Sequence, residues 1–347
     1  MNYILFDGPV RNALLPFTYT RPVADIRIGI LTIREKWEKR LGQTTTTLTE
    51  DYLEKKFPMV EMNANIMLNA SFIPSDTLVT QVKNLKENEA IFCGEDVIAF
   101  YTKDTQEEVD FNLYKAIEFS DDLIKVENTW DIFSKNGVAI QDDFELLIKG
   151  KKSQPIPTTN NVITPENIFI EEGASLEFAT LNASQGPIYI GKNAEIMEGS
   201  IVRGPLGMCE HSALKLGTKI YGATTLGPHC KVGGEVNNSV FFGYANKAHD
   251  GFLGKDIPKP QFQMSVNRLF EAVSMFGPVL YHQNPTIAVT PRQNPTISIE
   301  TFYAGNQEAM QLLSMTQAVQ QGVVTDPYII QSVQMLYQQY QQSVDSD

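Results

Sequence analysis

The sequence predicts an α/β domain followed by a parallel β-helix of six-residue repeats. Three observations carry this. The first 42 residues read strand, loop, helix. Between Asn167 and Gly254, apolar and small residues recur at every sixth position. Gly and Asn gather between those positions, where tight corners need positive φ. A period of six fits neither the helical period nor an alternating strand. It fits a solenoid of short strands and tight corners. An ordinary antiparallel β domain is the alternative, and strict period six argues against it.

Tyr3-Ile4-Leu5-Phe6 reads as a buried strand ended by Asp7-Gly8-Pro9. A loop runs to Ala24. Asp25 then stands as the cap of a helix with Ile26, Ile30, Ile33, Trp37 and Leu41 on one face and Gly42 as its stop. In doubly wound folds, ligands sit at the carboxyl ends of such strands. Asp76 reads as the cap of a helix over Thr77–Leu85. Ala90–Cys93 and Val97–Tyr101 read as a hairpin around Gly94-Glu95-Asp96. Trp130 through Ile148 reads as a closing helical and extended segment. The Pro-punctuated, polar stretch from Lys149 is a linker.

In the repeat region, Leu214, Ile220, Leu226 and Val232 form one series, preceded by Ile190, Ile196 and Val202. Ser212, Thr218, Thr224, Cys230, Val236 and Phe242 form a second series. His229 precedes an inward position and is expected to point outward, and His211 lies in the same solenoid. The period stops after Gly254. A low-charge, Gln-rich tail follows, with helices expected over Phe262–Phe276, Gln307–Gln320 and Asp326–Gln342. The resulting division is 1–148 for the α/β domain, 149–166 for the linker, 167–254 for an incomplete β-helix and 255–347 for the tail.

Of 347 residues, 42% are hydrophobic and 20% charged, the profile of a globular protein. A net charge of −13 disfavours nucleic acid and anionic membrane as partners. It leaves phosphorylated substrates open, since these need only local Arg, Lys, helix N-termini or a divalent ion. No apolar run is long enough to span a bilayer, and the N-terminus lacks a basic leader. The cysteines at 93, 209 and 230 show no metal spacing and read as reduced thiols, so a cytoplasmic location is expected.

The loop Gly8, Arg11, Leu15-Pro16-Phe17-Thr18, Thr20-Arg21-Pro22 resembles the opening of sugar-1-phosphate nucleotidyltransferases. It keeps one glycine where that family has several, its Arg11 lies two residues further from the Pro, and Val23 stands where many relatives carry Lys. The resemblance implies that Gly8, Arg11 and Arg21, with Arg27, meet nucleotide and sugar phosphates, and that Asp96 after a strand binds Mg²⁺. Asn63, Asn65 and Asn69 either meet sugar hydroxyls or shape turns.

Ile168–Ala174, Gly186–Gly191, Lys219–Thr225 and Lys231–Val236 are similar to compact bacterial (Bacteroidetes-type) bifunctional UDP-N-acetylglucosamine diphosphorylases/glucosamine-1-phosphate N-acetyltransferases. That likeness extends over about residues 1–254. It implies a nucleotidyltransferase-like α/β domain, then a truncated left-handed parallel β-helix and a mostly α-helical tail. It also implies UTP, an amino-sugar 1-phosphate and acetyl-CoA as ligands, and a homotrimer. Asn246-Lys247-Ala248-His249-Asp250-Gly251-Phe252-Leu253-Gly254 is similar to the acetyltransferase stretch. By that likeness His249 is the base that deprotonates the attacking amine, while Lys247, Arg203 and Asn246 bind substrate. Phe252 replaces the usual Tyr, and the later coils of the family are missing, so acetyl transfer is expected to be impaired. The alternative is a non-catalytic scaffold or a fusion, because the tail faintly resembles tailed-phage portal proteins. A native cap on the last coil is another reading of that tail.

Overall fold

The structure is a computed structural model that describes residues 1–103 and 109–254, with Ile330, Gln331 and Gln334. The chain divides into two units, Met1–Lys255 and Asp256–Asp347. The expected tail helices at 262–276 and 307–320 lie outside the described residues. Of the third, the three described residues are helical.

The first part of the chain forms a six-stranded mixed sheet: β1 (Asn2–Phe6), β2 (Thr46–Leu48), β3 (Asn65–Asn69), β4 (Glu89–Cys93), β5 (Asp96–Thr102) and β6 (Lys115–Glu118). The order is β2-β1-β3-β5-β4-β6. β1 is parallel to both neighbours. β5 runs antiparallel to β3 and β4, so the expected hairpin at Gly94-Glu95 is present. The helices are α1 (Ile33–Leu41), α2 (Asp51–Glu54), α3 (Asp76–Lys83), α4 (Asp131–Ser134) and α5 (Asn136–Ile148). Trp130 through Ile148 is therefore closed by two helices with no strand. No described helix is long and apolar enough to cross a membrane.

Two expected caps are corrected. Asp25 does not start a helix. It ends a 3-10 turn and pairs with Arg34 at 2.8 Å. Gly29, at φ +75°, turns the chain out of any helix between Ile26 and Thr32. α1 starts instead from a capping box in which Thr32 accepts from the Glu35 N–H and Glu35 from the Thr32 N–H. α3 is capped by Ser75, whose hydroxyl accepts from the Leu78 N–H, while Asp76 is its first residue.

Residues 161–253 wind into a parallel β-solenoid of about five turns with three faces. The first face stacks Asn161–Ile163, Thr180–Asn182, Ile201–Arg203, Lys219–Tyr221, Glu235–Asn237 and Phe252–Leu253. The second stacks Ile168–Ile170, Ile188–Ile190, Leu206–Met208, Thr224–Leu226 and Val240–Phe241. The third stacks Ser175–Leu176, Glu195–Ile196, Ala213–Leu214, Lys231–Val232 and Asn246–Lys247. The six-residue series is the inner wall: Ile190, Ile196, Val202, Leu214, Ile220, Leu226 and Val232 are all buried in one core. Left-handed corner residues repeat up one edge as Gly173, Asn193, His211, His229 and Tyr244. His211, His229 and Tyr244 point outward and stack, with ring centroids 4.8 and 4.9 Å apart.

The second series breaks at its end. Met208 pairs with Leu226 a full eighteen residues on, but Leu226 pairs with Phe241 only fifteen residues on. The coil is three residues short. Phe241 therefore takes the inward place and Phe242 turns out of the prism, where it meets the ring of Phe17 at 5.3 Å.

The second face is covered. α5 and the loop 26–31 pack on it, joining Ile30, Leu31, Ile140, Phe144, Phe169 and Tyr189 in one core. Gly207 leaves room there for Ile30: a Cβ at 207 would lie 2.7 Å from Ile30 Cγ1. Polar atoms close the seam. Asn136 accepts from the Gly29 N–H at 2.7 Å and donates to the Ala223 carbonyl at 2.9 Å, while Thr225 donates to the Gly29 carbonyl at 2.9 Å.

Candidate active site

A cavity of about 340 Å³ opens where β1 and β2 end, lined among others by Asp7, Gly8, Arg11, Thr49, Glu50 and Asp51. This is the carboxyl edge of the parallel strands, where ligands collect in open α/β sheets. Gly8 follows β1 and faces Asn69 at the end of β3, whose Oδ1 would lie 3.4 Å from a Cβ placed on Gly8. Asn69 is held by Ser71, which donates to Oδ1 through its N–H and hydroxyl, and it donates to the Val97 carbonyl at 2.9 Å. Asp96, which opens β5, lies along the same edge.

Arg11 is buried beneath the cavity, and every donor of its guanidinium has a protein partner. Nε faces Glu50 at 3.2 Å. Nη1 donates to Asp7 at 2.7 Å and Thr49 at 3.5 Å. Nη2 donates to the Thr18 carbonyl at 2.6 Å and the Tyr52 hydroxyl at 2.8 Å. Glu50 and Tyr52 are exposed, so they are the partners a phosphate oxygen would exchange for. Burial pushes the Asp7 carboxyl above its ordinary range, against hydrogen bonds from Thr49 and the Val23 N–H and the charge of Arg11.

The other arginines of the loop face the solenoid. Arg21 sits over the Phe242 ring, 4.8 Å from its centroid. Arg27 is buried, donates to the Phe242 carbonyl at 3.0 Å and to the Ile30 carbonyl, and lies 3.5 Å from the Cys209 sulfur.

Asp96 holds Lys125 at 2.7 Å, and Lys125 reaches Glu127 at the same distance. Burial opposes the charge of Lys125, but the two carboxylates outweigh it and raise its pKa. Among the described residues, no group of three or more His, Cys, Asp or Glu side chains is placed to hold a metal ion. Asp96 is a single half-exposed carboxylate at the strand edge, paired with Lys125.

The residues expected to serve acetyl transfer are not brought together. Lys247 occupies the inner column of the third face, one rung beyond Val232. Its ammonium donates to the carbonyls of Gly233 at 2.7 Å, Gly251 at 2.9 Å and His249 at 3.2 Å. Burial lowers its pKa, with Asp250 pulling the other way. Lys247 thus plugs the core and has no hydrogen left for a phosphate. Asn246 points outward from the same strand and is exposed. The His249 imidazole is exposed and has no hydrogen-bond or ring partner among the described residues. Arg203 ends a first-face strand three rungs from Phe252–Leu253, about 14 Å at the usual strand spacing. It stands at the opposite end of that face from the turn that carries His249.

Sequence reasoning weighed Asn69 only among turn or sugar residues and overlooked Thr49, Glu50 and Lys125. Asn69 had one usable signal, a polar residue ending the apolar run Ile66-Met67-Leu68.

Residues 3–152 match the family model described as sugar nucleotidyl transferase. This part of the chain is thus similar to that class in sequence, and its cavity lies where the mixed sheet presents Gly8 and Arg11. No curated protein matches the chain.

Proposed function

We propose that the protein transfers a nucleotidyl group from a nucleoside triphosphate to a sugar 1-phosphate. A phosphate oxygen of the sugar attacks the α-phosphorus, the bond to the bridging oxygen breaks, and pyrophosphate leaves. The observation that carries this reading is the Asp7–Arg11 loop at the carboxyl edge of a domain matching that class. Gly8 lets the backbone approach the phosphates, and Arg11 neutralises charge once Glu50 and Tyr52 give way. The cavity is acidic overall, with Asp7, Glu50 and Asp51 against Arg11, which favours a triphosphate carrying a divalent cation. Asp96 would hold that ion, which would neutralise developing phosphate charge.

UTP with N-acetylglucosamine 1-phosphate is the first pair to test, from the resemblance of the repeat region. Pyrophosphate release in the presence of Mg²⁺ is the measurement. No release with any of the common triphosphates would overturn the reading.

Acetyl transfer from acetyl-CoA to glucosamine 1-phosphate, with His249 as base, is the second half of the proposal. The likeness of Asn246–Gly254 and the solenoid fold support it. The plugged Lys247 and the distant Arg203 count against it, so a thiol-release assay is expected to find little or no activity. A homotrimer is proposed with it from the same resemblance, and light scattering at micromolar concentration tests it. A non-catalytic scaffold is favoured by one observation, the full commitment of Arg11 to protein partners. Unchanged melting temperature with UTP would support the scaffold.

A further inference from the structure

The segment Phe17–Arg21 lies between the cavity and the solenoid. On one side Thr18 grips Arg11 twice, its carbonyl accepting from Nη2 at 2.6 Å and its hydroxyl donating to the Arg11 carbonyl at 2.9 Å. On the other side its two ends meet one residue of the solenoid. The Phe17 ring lies 5.3 Å from that of Phe242, and the Arg21 guanidinium sits over the same ring at 4.8 Å. Arg27 secures the backbone of Phe242 at 3.0 Å. Phe17–Tyr19 is a single 3-10 turn outside the sheet, so strand pairing does not fix it.

We propose that Phe242, a solenoid side chain, is a positioning residue for nucleotidyl transfer: it seats Phe17–Arg21 and, through Thr18, sets Arg11 at the cavity. This rests on the nucleotidyl-transfer reading above. On it, the solenoid is a working part of the first domain's site, whatever acyl chemistry the solenoid itself carries. The three-residue shortening of its coil is what turns Phe242 toward that site.

The test compares the full chain with Phe242→Ala, Phe242→Tyr and Phe169→Ala. Phe169 lies on the same solenoid face but stacks on Tyr189 in the core shared with α5. Pyrophosphate release against UTP and sugar-phosphate concentration should show kcat at least about tenfold lower in Phe242→Ala, since small displacements of a charge-handling group cost that much or more. KM should change less, and Phe242→Tyr should stay within about twofold of wild type because the ring is kept. Phe169→Ala should lower Tm yet keep kcat. Wild-type kcat in Phe242→Ala, or an equal kcat loss in Phe169→Ala, would overturn the proposal. Hydrogen exchange needs no turnover. Amides of residues 17–21 should exchange at least about tenfold faster in Phe242→Ala and not in Phe169→Ala. Unchanged exchange overturns the positioning role even if wild type is active, whereas an inactive wild type with accelerated exchange overturns only the nucleotidyl-transfer reading.

Discussion

Asp143 concentrates much of the seam between the two folds in one carboxylate oxygen. Its Oδ2 accepts from the N–H groups of Ile30 at 2.7 Å and Leu31 at 3.0 Å and from the ammonium of Lys36, all fully buried. Burial drives the Asp143 pKa up and the Lys36 pKa down, each against the attraction of its partner. Removing the acceptor strands three donors. Asp143→Ala should therefore cost about 3–5 kcal/mol, read from the urea midpoint; a cost under about 1 kcal/mol would contradict this picture. Nothing in the sequence marked Asp143 or Lys36, because their meaning is a tertiary pairing across more than a hundred positions. The loop that carries Gly8 and Arg11 was legible because a turn between a strand and a helix is a local pattern. Local pattern did not reveal that Arg11 would be wrapped by Glu50 and Tyr52. A surface carboxylate offers a milder test. Glu171 accepts from Lys151 at 2.8 Å and from Tyr189 at 2.9 Å. Burial would raise its pKa, but these bonds prevail and lower it. A depressed folded value adds stability above the ordinary carboxylate range, and that stability is lost as pH falls through the folded value. Glu171→Gln should flatten the acid limb of a Tm profile taken between about pH 6 and pH 3.

Elements were read well where one period governs. The inner wall followed from spacing alone, since any side chain between stacked coils must be apolar or small. The start of the solenoid at Asn161–Ile163 was missed because the early strands pair nineteen to twenty-one residues apart, as in Asn161 with Thr180 and Thr180 with Ile201. The first helix was misplaced for a different reason. Ile26 and Ile30 continue the helical face of Ile33, yet they are buried in the loop that docks on the solenoid. The Thr32–Glu35 box was the better signal. The inner wall also separates neighbours sharply. Leu214 is wholly buried, whereas Leu216, two residues on, is 66% exposed. Leu214→Ala should cost about 2–5 kcal/mol by thermal or urea unfolding. Leu216→Ala should stay within about 0.5 kcal/mol of wild type. Equal effects would mean that the column is not the core.

At the scale of the molecule, one face of the solenoid lies under α5, and the sheet domain is bound to its side. Repeat length in such a protein is ordinarily a matter of regularity. Here the irregular coil between Leu226 and Phe241 acts as a spacer gauge, because its missing rung-length decides which way one phenylalanine looks. At a full count of eighteen, residue 242 would stand beside Thr224 in the buried wall; at fifteen, Phe241 stands beside Leu226 and Phe242 is left to face out. Imperfection in the count is, on this view, the fastener.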